Sequence, residues 1–83
     1  MYKLRISSKA ENEIKKIPHH HQEAIILALA EIKEEPFLGK PLTRELTRRF
    51  SYRIGVYRII YKINKKDKVI EILTAGHRAT VYE

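Results

Sequence analysis

The sequence predicts an α+β fold in which an N-terminal strand is followed by a helical hairpin, packed on one face of a mostly antiparallel four-stranded sheet. Three observations predict this fold. A short N-terminal segment alternates apolar and polar residues, two amphipathic helical segments follow it, and the last third of the chain alternates again. We expect one sheet face to stay open and residues 1–83 to form a single domain.

The first strand is predicted over residues 2–6, where apolar and polar residues alternate strictly. Ser8, with Glu11 three residues later, is typical of a capping box at the start of a helix. Apolar residues then recur at helical spacing until Pro18, which closes this helix. A second helix is predicted over residues 19–35, and the short connection between the two indicates an antiparallel helical hairpin.

A β-hairpin is predicted over residues 51–63, because Gly55-Val56 separates two alternating segments and suits a two-residue type II′ turn. This register places Arg53 opposite Arg58 and puts the large apolar side chains on the other face. Residues 42–46 are either a short edge strand or a loop. The last strand is predicted over residues 69–73, which are rich in β-branched residues, and Gly76 is predicted to interrupt it.

Charge is large and uneven in this chain. The net charge is +7; residues 36–83 alone carry +7, whereas residues 9–35 carry −2. A one-sided basic surface favours a polyanionic partner.

Several classes of protein are excluded by composition. The chain has no cysteine, which excludes a disulfide framework or a thiolate zinc site. Its longest uncharged apolar run, residues 24–30, is much shorter than the roughly 20 residues of a membrane span. No signal-peptide-like apolar segment follows the N-terminus, so we expect a cytoplasmic protein with no membrane partner.

The strongest candidate site residues are cations of the predicted hairpin. Arg53 lies opposite Arg58, Lys62 follows on the same face, and like charges opposed across strands destabilise a sheet. Glu71 on the next strand is placed to relieve one of them. A solvated basic face is the alternative interpretation.

A second group of candidates follows the last predicted strand. If that strand lies beside the hairpin, His77, Arg78 and Tyr82 converge on the face of the two arginines. Arginines bind phosphate, histidine transfers protons near neutral pH, and tyrosine stacks on an unpaired base, so the set suits RNA cleavage. His77 equally suits a hydrogen-bonding residue at a strand end. Residues 19–21 are three consecutive histidines, which do not face each other on a helix, so no metal site is predicted.

These segments together resemble the RelE/ParE toxin superfamily. The resemblance rests on YRIGVYRIIY at residues 52–61, IEIL at residues 70–73, GHR at residues 76–78 and VY at residues 81–82. The helical hairpin and residues 36–42 are also similar, so the match covers essentially the whole chain. It implies a toxin of a type II toxin–antitoxin pair with a microbial-RNase-like fold, closest to the RelE branch. That branch cleaves mRNA in the ribosomal A site without a metal or other cofactor, through attack of a ribose 2′-OH on the adjacent phosphorus.

The resemblance also implies roles for individual residues. Arg53 matches a basic position of the active site, and Arg58 matches the phosphate-binding arginine after the hairpin glycine. Arg78 matches the arginine that acts on the leaving group or transition state, and Tyr82 the tyrosine that stacks on a substrate base. Further RNA contacts are expected from basic side chains around this site, namely Lys40, Arg44, Arg48, Arg49 and Lys62.

One position departs from the family pattern. Gly55 occupies the place of a lysine that is thought to act as general base, and His77 is the predicted substitute. The departure keeps a second function open, the non-enzymatic inhibition of DNA gyrase by the ParE branch, which needs no proton-transfer residue. In either case the expected protein partner is a cognate antitoxin, RelB-like for the first function.

Overall fold

Two helices lie against one face of a five-stranded mixed sheet in the computed structural model, which describes residues 1–41 and 49–77. The strand order is β1-β5-β4-β3-β2; β1 runs parallel to β5, and the other neighbours are antiparallel. The elements are β1 (Lys3–Ile6), α1 (Ser8–Lys15), α2 (His19–Glu34), a 3₁₀ turn (Pro36–Leu38), β2 (Lys40–Pro41), β3 (Arg49–Ile54), β4 (Tyr57–Asn64) and β5 (Val69–His77).

The predicted α+β architecture is confirmed, with one strand more than the four expected. The additional strand is β2, whose two residues pair with Phe50 and Ser51 at the edge of the sheet. Two residues that include a proline give no alternating pattern, so the sequence carries no signal for this strand. The segment at residues 42–46, predicted as an edge strand or a loop, lies outside the described residues.

The first helix begins one residue earlier than its capping pattern indicated. Ser7, and not Ser8, is the N-cap: its hydroxyl oxygen accepts a hydrogen bond from the Ala10 N–H at 3.0 Å. The same hydroxyl donates to the Leu73 carbonyl at 3.0 Å, and the Ser7 N–H donates to the Ile72 carbonyl at 3.0 Å. Ser7 therefore fixes the start of α1 against β5.

The last strand continues past Leu73 to His77, so the predicted interruption at Gly76 is wrong. The irregularity lies earlier: Ile60 pairs with Thr74 and the next residue of β4 pairs with Ile72, which leaves Leu73 as an extra residue on β5. Glu13 of α1 supports this bulge, because its carboxylate accepts hydrogen bonds from the Thr74 hydroxyl at 2.6 Å and the Ala75 N–H at 3.0 Å. The bulge accommodates this extra residue, and regular pairing of β4 with β5 continues on both sides of it.

The side-chain amide of Gln22 joins the two helices. It donates to the Ile14 carbonyl at 3.1 Å and to the Ile17 carbonyl at 3.0 Å, which satisfies carbonyl groups at the C-terminal end of α1. Within the described ranges, neither helix has both the length and the hydropathy that crossing a bilayer requires.

The hydrophobic core lies between the helices and the sheet. Ile25 and Ile32 of α2 are fully buried against Ile59, Ile70 and Ile72 of the two central strands. Burying one such side chain contributes about 1.5–3 kcal/mol. The core therefore defines a helix-facing side of the sheet and an opposite side, which carries the site.

Tyr61 anchors the segment that follows α2. Its buried hydroxyl donates to the Pro36 carbonyl at 2.7 Å and accepts from the Gly39 N–H at 2.9 Å. Burial raises the pKa of Tyr61, while the hydrogen bond from Gly39 acts to lower it. A Cβ atom on Gly39 would lie 2.6 Å from the Tyr61 hydroxyl oxygen, so only glycine fits this close approach.

Candidate functional site

The hairpin between β3 and β4 has the register that the sequence predicts. Arg53 pairs with Arg58, Ile54 with Tyr57, and the turn between them is Gly55-Val56. Gly55 has φ +56°, and Val56 is not among the residues with positive φ, as a type II′ turn requires. The prediction is confirmed because glycine is the residue that adopts this backbone conformation without steric cost.

Arg53 and Arg58 share the sheet face that points away from the helices. Directly paired residues project to the same side, and both alternate with residues that pack on the core, such as Tyr52 and Ile59. The two guanidinium groups nevertheless differ in environment, since Arg53 is exposed and Arg58 is only 5% exposed.

The expectation that this whole face is open is therefore wrong at its centre. Arg58 and Ile60 are both 5% exposed, although neither belongs to the core cluster on the helix-facing side. Both lie on β4, an interior strand of the sheet, on the same face as Lys62, which is exposed. The site thus contains one guanidinium group that is exposed to water, that of Arg53, and one that is largely shielded from water, that of Arg58.

Other predicted RNA contacts extend this face. Arg49 pairs with Lys62, and Lys40 pairs with Ser51, a residue that lies between Arg49 and Arg53 on the same side of β3. Lys40 and Lys62 are exposed and Arg49 is half-buried. The structure thus brings Lys40, Arg49 and Lys62 to the face that carries Arg53 and Arg58.

Arg5 is a member of this face that sequence reasoning missed. Glu71 pairs with Arg5 on one side and with Lys62 on the other, so these three residues form one continuous row across β1, β5 and β4. The alternation of residues 2–6 already placed Arg5 on a polar face of a strand. What the sequence could not supply was the parallel pairing of that strand with β5.

His77 does not share the face of the two arginines, which corrects the predicted convergence. Gly76 is the partner of Arg58, and His77 is the partner of Tyr57, on the helix-facing side. The His77 and Tyr57 rings are 5.9 Å apart, and the Tyr57 ring lies 5.3 Å from that of His21 on α2. The physical reason is the pleat: because β5 continues through Gly76, the next side chain points to the opposite side.

Four predicted site residues cannot be placed in the fold. Arg44, Arg48, Arg78 and Tyr82 lie outside the described ranges, residues 1–41 and 49–77. Within those ranges, no group of three or more histidine, cysteine, aspartate or glutamate side chains is arranged to hold a metal ion.

Comparison with known proteins identifies the family. A family model described as the ParE toxin of type II toxin–antitoxin systems, parDE, matches residues 4–82. The chain belongs to this family. It is similar to toxin RelG of Mycobacterium tuberculosis, with 36% identity over 83 residues that cover 98% of this chain and 95% of the relative. The predicted resemblance to the RelE/ParE superfamily is thus confirmed, and the chain is a toxin of a type II toxin–antitoxin system.

Solved structures of this superfamily have the same fold. One is the toxin–antitoxin complex RelBE2 from Mycobacterium tuberculosis, with a TM-score of 0.85 and 35% identity over 93% of this chain and 98% of that one. Another is the archaeal RelE–RelB complex from Pyrococcus horikoshii OT3, with a TM-score of 0.79 and 27% identity over 96% and 98%. These matches confirm the predicted RelE-like architecture.

Proposed function

We propose that this toxin is a ribosome-dependent endoribonuclease that cleaves mRNA in the A site and is silenced by a RelB-type antitoxin. The observation that supports it best is the direct pairing of Arg53 with Arg58 on the sheet face that the helices leave uncovered. Paired like charges cost a sheet a few tenths of a kcal/mol to about 1 kcal/mol. A phosphate that binds between the two guanidinium groups offsets this repulsion, because it accepts charge-assisted hydrogen bonds from both.

The proposed chemistry needs no metal. The ribose 2′-OH attacks the adjacent phosphorus, the bond from phosphorus to the 5′-oxygen breaks, and the products are a 2′,3′-cyclic phosphate and a free 5′-OH. Charge develops on the phosphate oxygens during this step, and fixed donors stabilise it most effectively where water is excluded. Arg58 meets that condition since it is only 5% exposed. As the resemblance implies, we propose that Arg78 acts on the leaving group or the transition state and that Tyr82 stacks on a substrate base.

Gly55 cannot accept this proton, because glycine has no side chain. It lies at the hairpin tip with a positive φ, and no atom is within 4 Å of the place where a Cβ atom would be. We propose His77 for this role on the resemblance, since some members of the superfamily use a histidine in this region. Its side chain lies on the helix-facing side of β5, so the role requires the substrate to approach the ring around the end of the strand.

The role of His77 has a direct test in the pH dependence of cleavage. If His77 transfers a proton, His77→Ala lowers the rate about a hundredfold and removes the pH dependence that this proton transfer gives to cleavage. A loss of rate that is equal at all pH values assigns His77 to structure and excludes it as the base. Single-turnover cleavage on programmed ribosomes measures both quantities.

The proposed partner follows from the relatives and from charge. RelBE2 and the archaeal RelE–RelB are toxin–antitoxin complexes, and a net charge of +7 favours a segment rich in acidic and apolar residues. Such a segment is expected to be disordered alone and to fold on binding. Co-expression with the neighbouring open reading frame should yield a complex that survives purification, and repeated failure to co-purify contradicts the proposal.

The deciding experiment maps the 5′ ends of transcripts after the toxin is induced. Cuts in phase with codons support the nuclease. Intact transcripts accompanied by double-stranded DNA breaks support a gyrase inhibitor instead. That second function is favoured by two observations: the matching family model is described as ParE, and Gly55 replaces the expected lysine.

A further inference from the structure

A cleft of about 570 Å³ lies at the opposite end of β4 from Arg58, and none of the roles assigned above uses its aromatic residues. Phe37, Phe50 and Ile63 supply its apolar wall, while Lys62, Lys65 and Glu71 supply its charged groups. This volume is within the range of small-ligand sites, which combine an apolar wall with a few polar groups.

Phe37 is unusually exposed for a residue whose backbone is so firmly held. Its ring is 55% exposed, yet Tyr61 bonds to Pro36 on one side of it and to Gly39 on the other. The Phe37 ring also meets the Phe50 ring edge-on at 5.8 Å, and Phe50 stacks on Tyr61 at 5.5 Å. The exposed ring is therefore preorganised, which lowers the entropic cost of binding a flat ligand on it.

The charges around the ring favour an anionic ligand. The Lys65 ammonium lies 5.4 Å from the centre of the Phe37 ring, in a cation–π contact. Glu71, the acidic residue of the cleft, has two cations, Arg5 and Lys62, as its register partners on the neighbouring strands, so cations outnumber acids around the cleft. The cleft thus offers an aromatic platform beside the Lys65 ammonium group, and Lys62 lines the same cleft.

We propose that this cleft binds one unpaired nucleotide of RNA, with its base stacked on Phe37 and its phosphate held by Lys65. A base has the flat π-surface that such a ring accepts, and its phosphate supplies the anion. The choice of RNA rests on the proposed nuclease function. Lys62, which lines the cleft, is four residues from Arg58 on β4, about 13 Å at the rise of a strand, so an RNA strand that passes both sites would place this nucleotide a short distance from the cut.

The test uses Phe37→Trp, which keeps an aromatic ring and creates the only tryptophan of the chain. The ligand is a short single-stranded oligoribonucleotide with 2′-O-methyl groups, which prevent cleavage. We expect saturable quenching of the tryptophan fluorescence by the single strand and none by a duplex of the same sequence, because paired bases cannot stack on the ring. Phe37→Ala should weaken binding of the oligonucleotide, followed by fluorescence anisotropy, about tenfold or more.

Matched variants separate the site from general electrostatics. Lys65→Ala should weaken quenching and reduce the salt dependence of binding by about one phosphate contact. Lys66→Ala is the control, because Lys66 is exposed on the same turn and does not line the cleft. Equal effects of the two lysine variants, RNA that binds without quenching, or quenching by an antitoxin peptide and not by RNA would each overturn the proposal.

Failure of this site and failure of the nuclease function give different results. Normal cleavage and normal RNA affinity in a folded Phe37→Ala variant contradict the nucleotide site and leave the nuclease intact. Conversely, quenching by single-stranded RNA in a toxin that leaves transcripts uncut supports the site and contradicts the nuclease.

Discussion

Two rows of side chains cross the sheet on the side away from the helices, and their charges are arranged differently. The hairpin row consists of Arg53, Arg58 and Gly76, and the distal row consists of Arg49, Lys62, Glu71 and Arg5. In the distal row an acid stands between cations, so cross-strand repulsion is partly relieved. In the hairpin row the cross-strand neighbours of Arg58 are an arginine and a glycine.

This difference indicates which row is adapted to stability and which to binding. An acid between two cations contributes a few tenths of a kcal/mol to pairing of the strands, whereas two opposed arginines oppose pairing by a similar amount. Two cations that face each other across adjacent strands form a candidate anion-binding site, because both can donate hydrogen bonds to one phosphate.

The largest effect is expected at Arg58. Arg58→Ala should lower single-turnover cleavage of mRNA on programmed ribosomes a hundredfold or more, because it removes charge stabilisation in the transition state. Arg58→Lys should retain only part of the activity, since an ammonium group cannot form two parallel hydrogen bonds to a phosphate. Activity near the wild-type level in either variant contradicts the assignment of Arg58.

Lys62→Ala is the control from the distal row, and it should lower the rate only a few-fold. Arg58 is buried, so truncation of its side chain also removes packing contacts of its aliphatic part. Circular dichroism and thermal unfolding must therefore show that each variant is folded. Arg58→Lys preserves that aliphatic part, and it keeps the test decisive if Arg58→Ala fails to fold.

Local patterns in the sequence predicted the hairpin row well. The alternation on both sides of Gly55 and the geometry of a two-residue turn sufficed to place Arg53 opposite Arg58. The helix boundaries also followed from local signals, to within one residue at Ser7 and at the end of α2.

What the sequence could not predict depends on contacts between distant residues. The bulge at Leu73 is stabilised by Glu13, which is far away in the chain, and no local pattern indicates that β5 continues to His77. The place of His77 on the helix-facing side follows from that continuation. The burial of Arg58 could not be predicted either, because pairing within the hairpin does not determine what packs on that face of β4.

Arg53→Glu tests the comparison of the two rows, because it places an acidic residue opposite Arg58, as Glu71 is placed beside cations in the distal row. The like-charge pair becomes an ion pair, and the free energy of unfolding should rise by about 0.5 kcal/mol, or about 2–4 °C in Tm. Cleavage should fall about tenfold, because a carboxylate now repels the phosphate. Thermal unfolding and single-turnover cleavage test the two effects together; a variant that is both less stable and equally active contradicts the comparison.

Glu71→Gln should weaken the distal row by removing its acid. Arg5 and Lys62 would then flank an uncharged residue, and the free energy of unfolding should fall by about 0.5 kcal/mol. Affinity for single-stranded RNA should rise slightly, since the face becomes more positive. Urea unfolding and oligonucleotide binding check these outcomes, with Glu23→Gln on the exposed surface of α2 as the control for loss of one negative charge.

The smallest effect is expected at Lys40, which is exposed on β2 at the edge of the face. A cation there contacts the RNA backbone and no reacting atom, so Lys40→Ala should weaken RNA binding a few-fold and equally for all sequences. The slope of log affinity against log salt should fall by about one, the value for a single lost phosphate contact. The cleavage rate at saturation should not change. Lys9→Ala, which removes an exposed cation from α1 on the helix side, is the control; if it changes the salt slope as much as Lys40→Ala does, RNA is attracted by net charge alone and Lys40 has no specific place in its path.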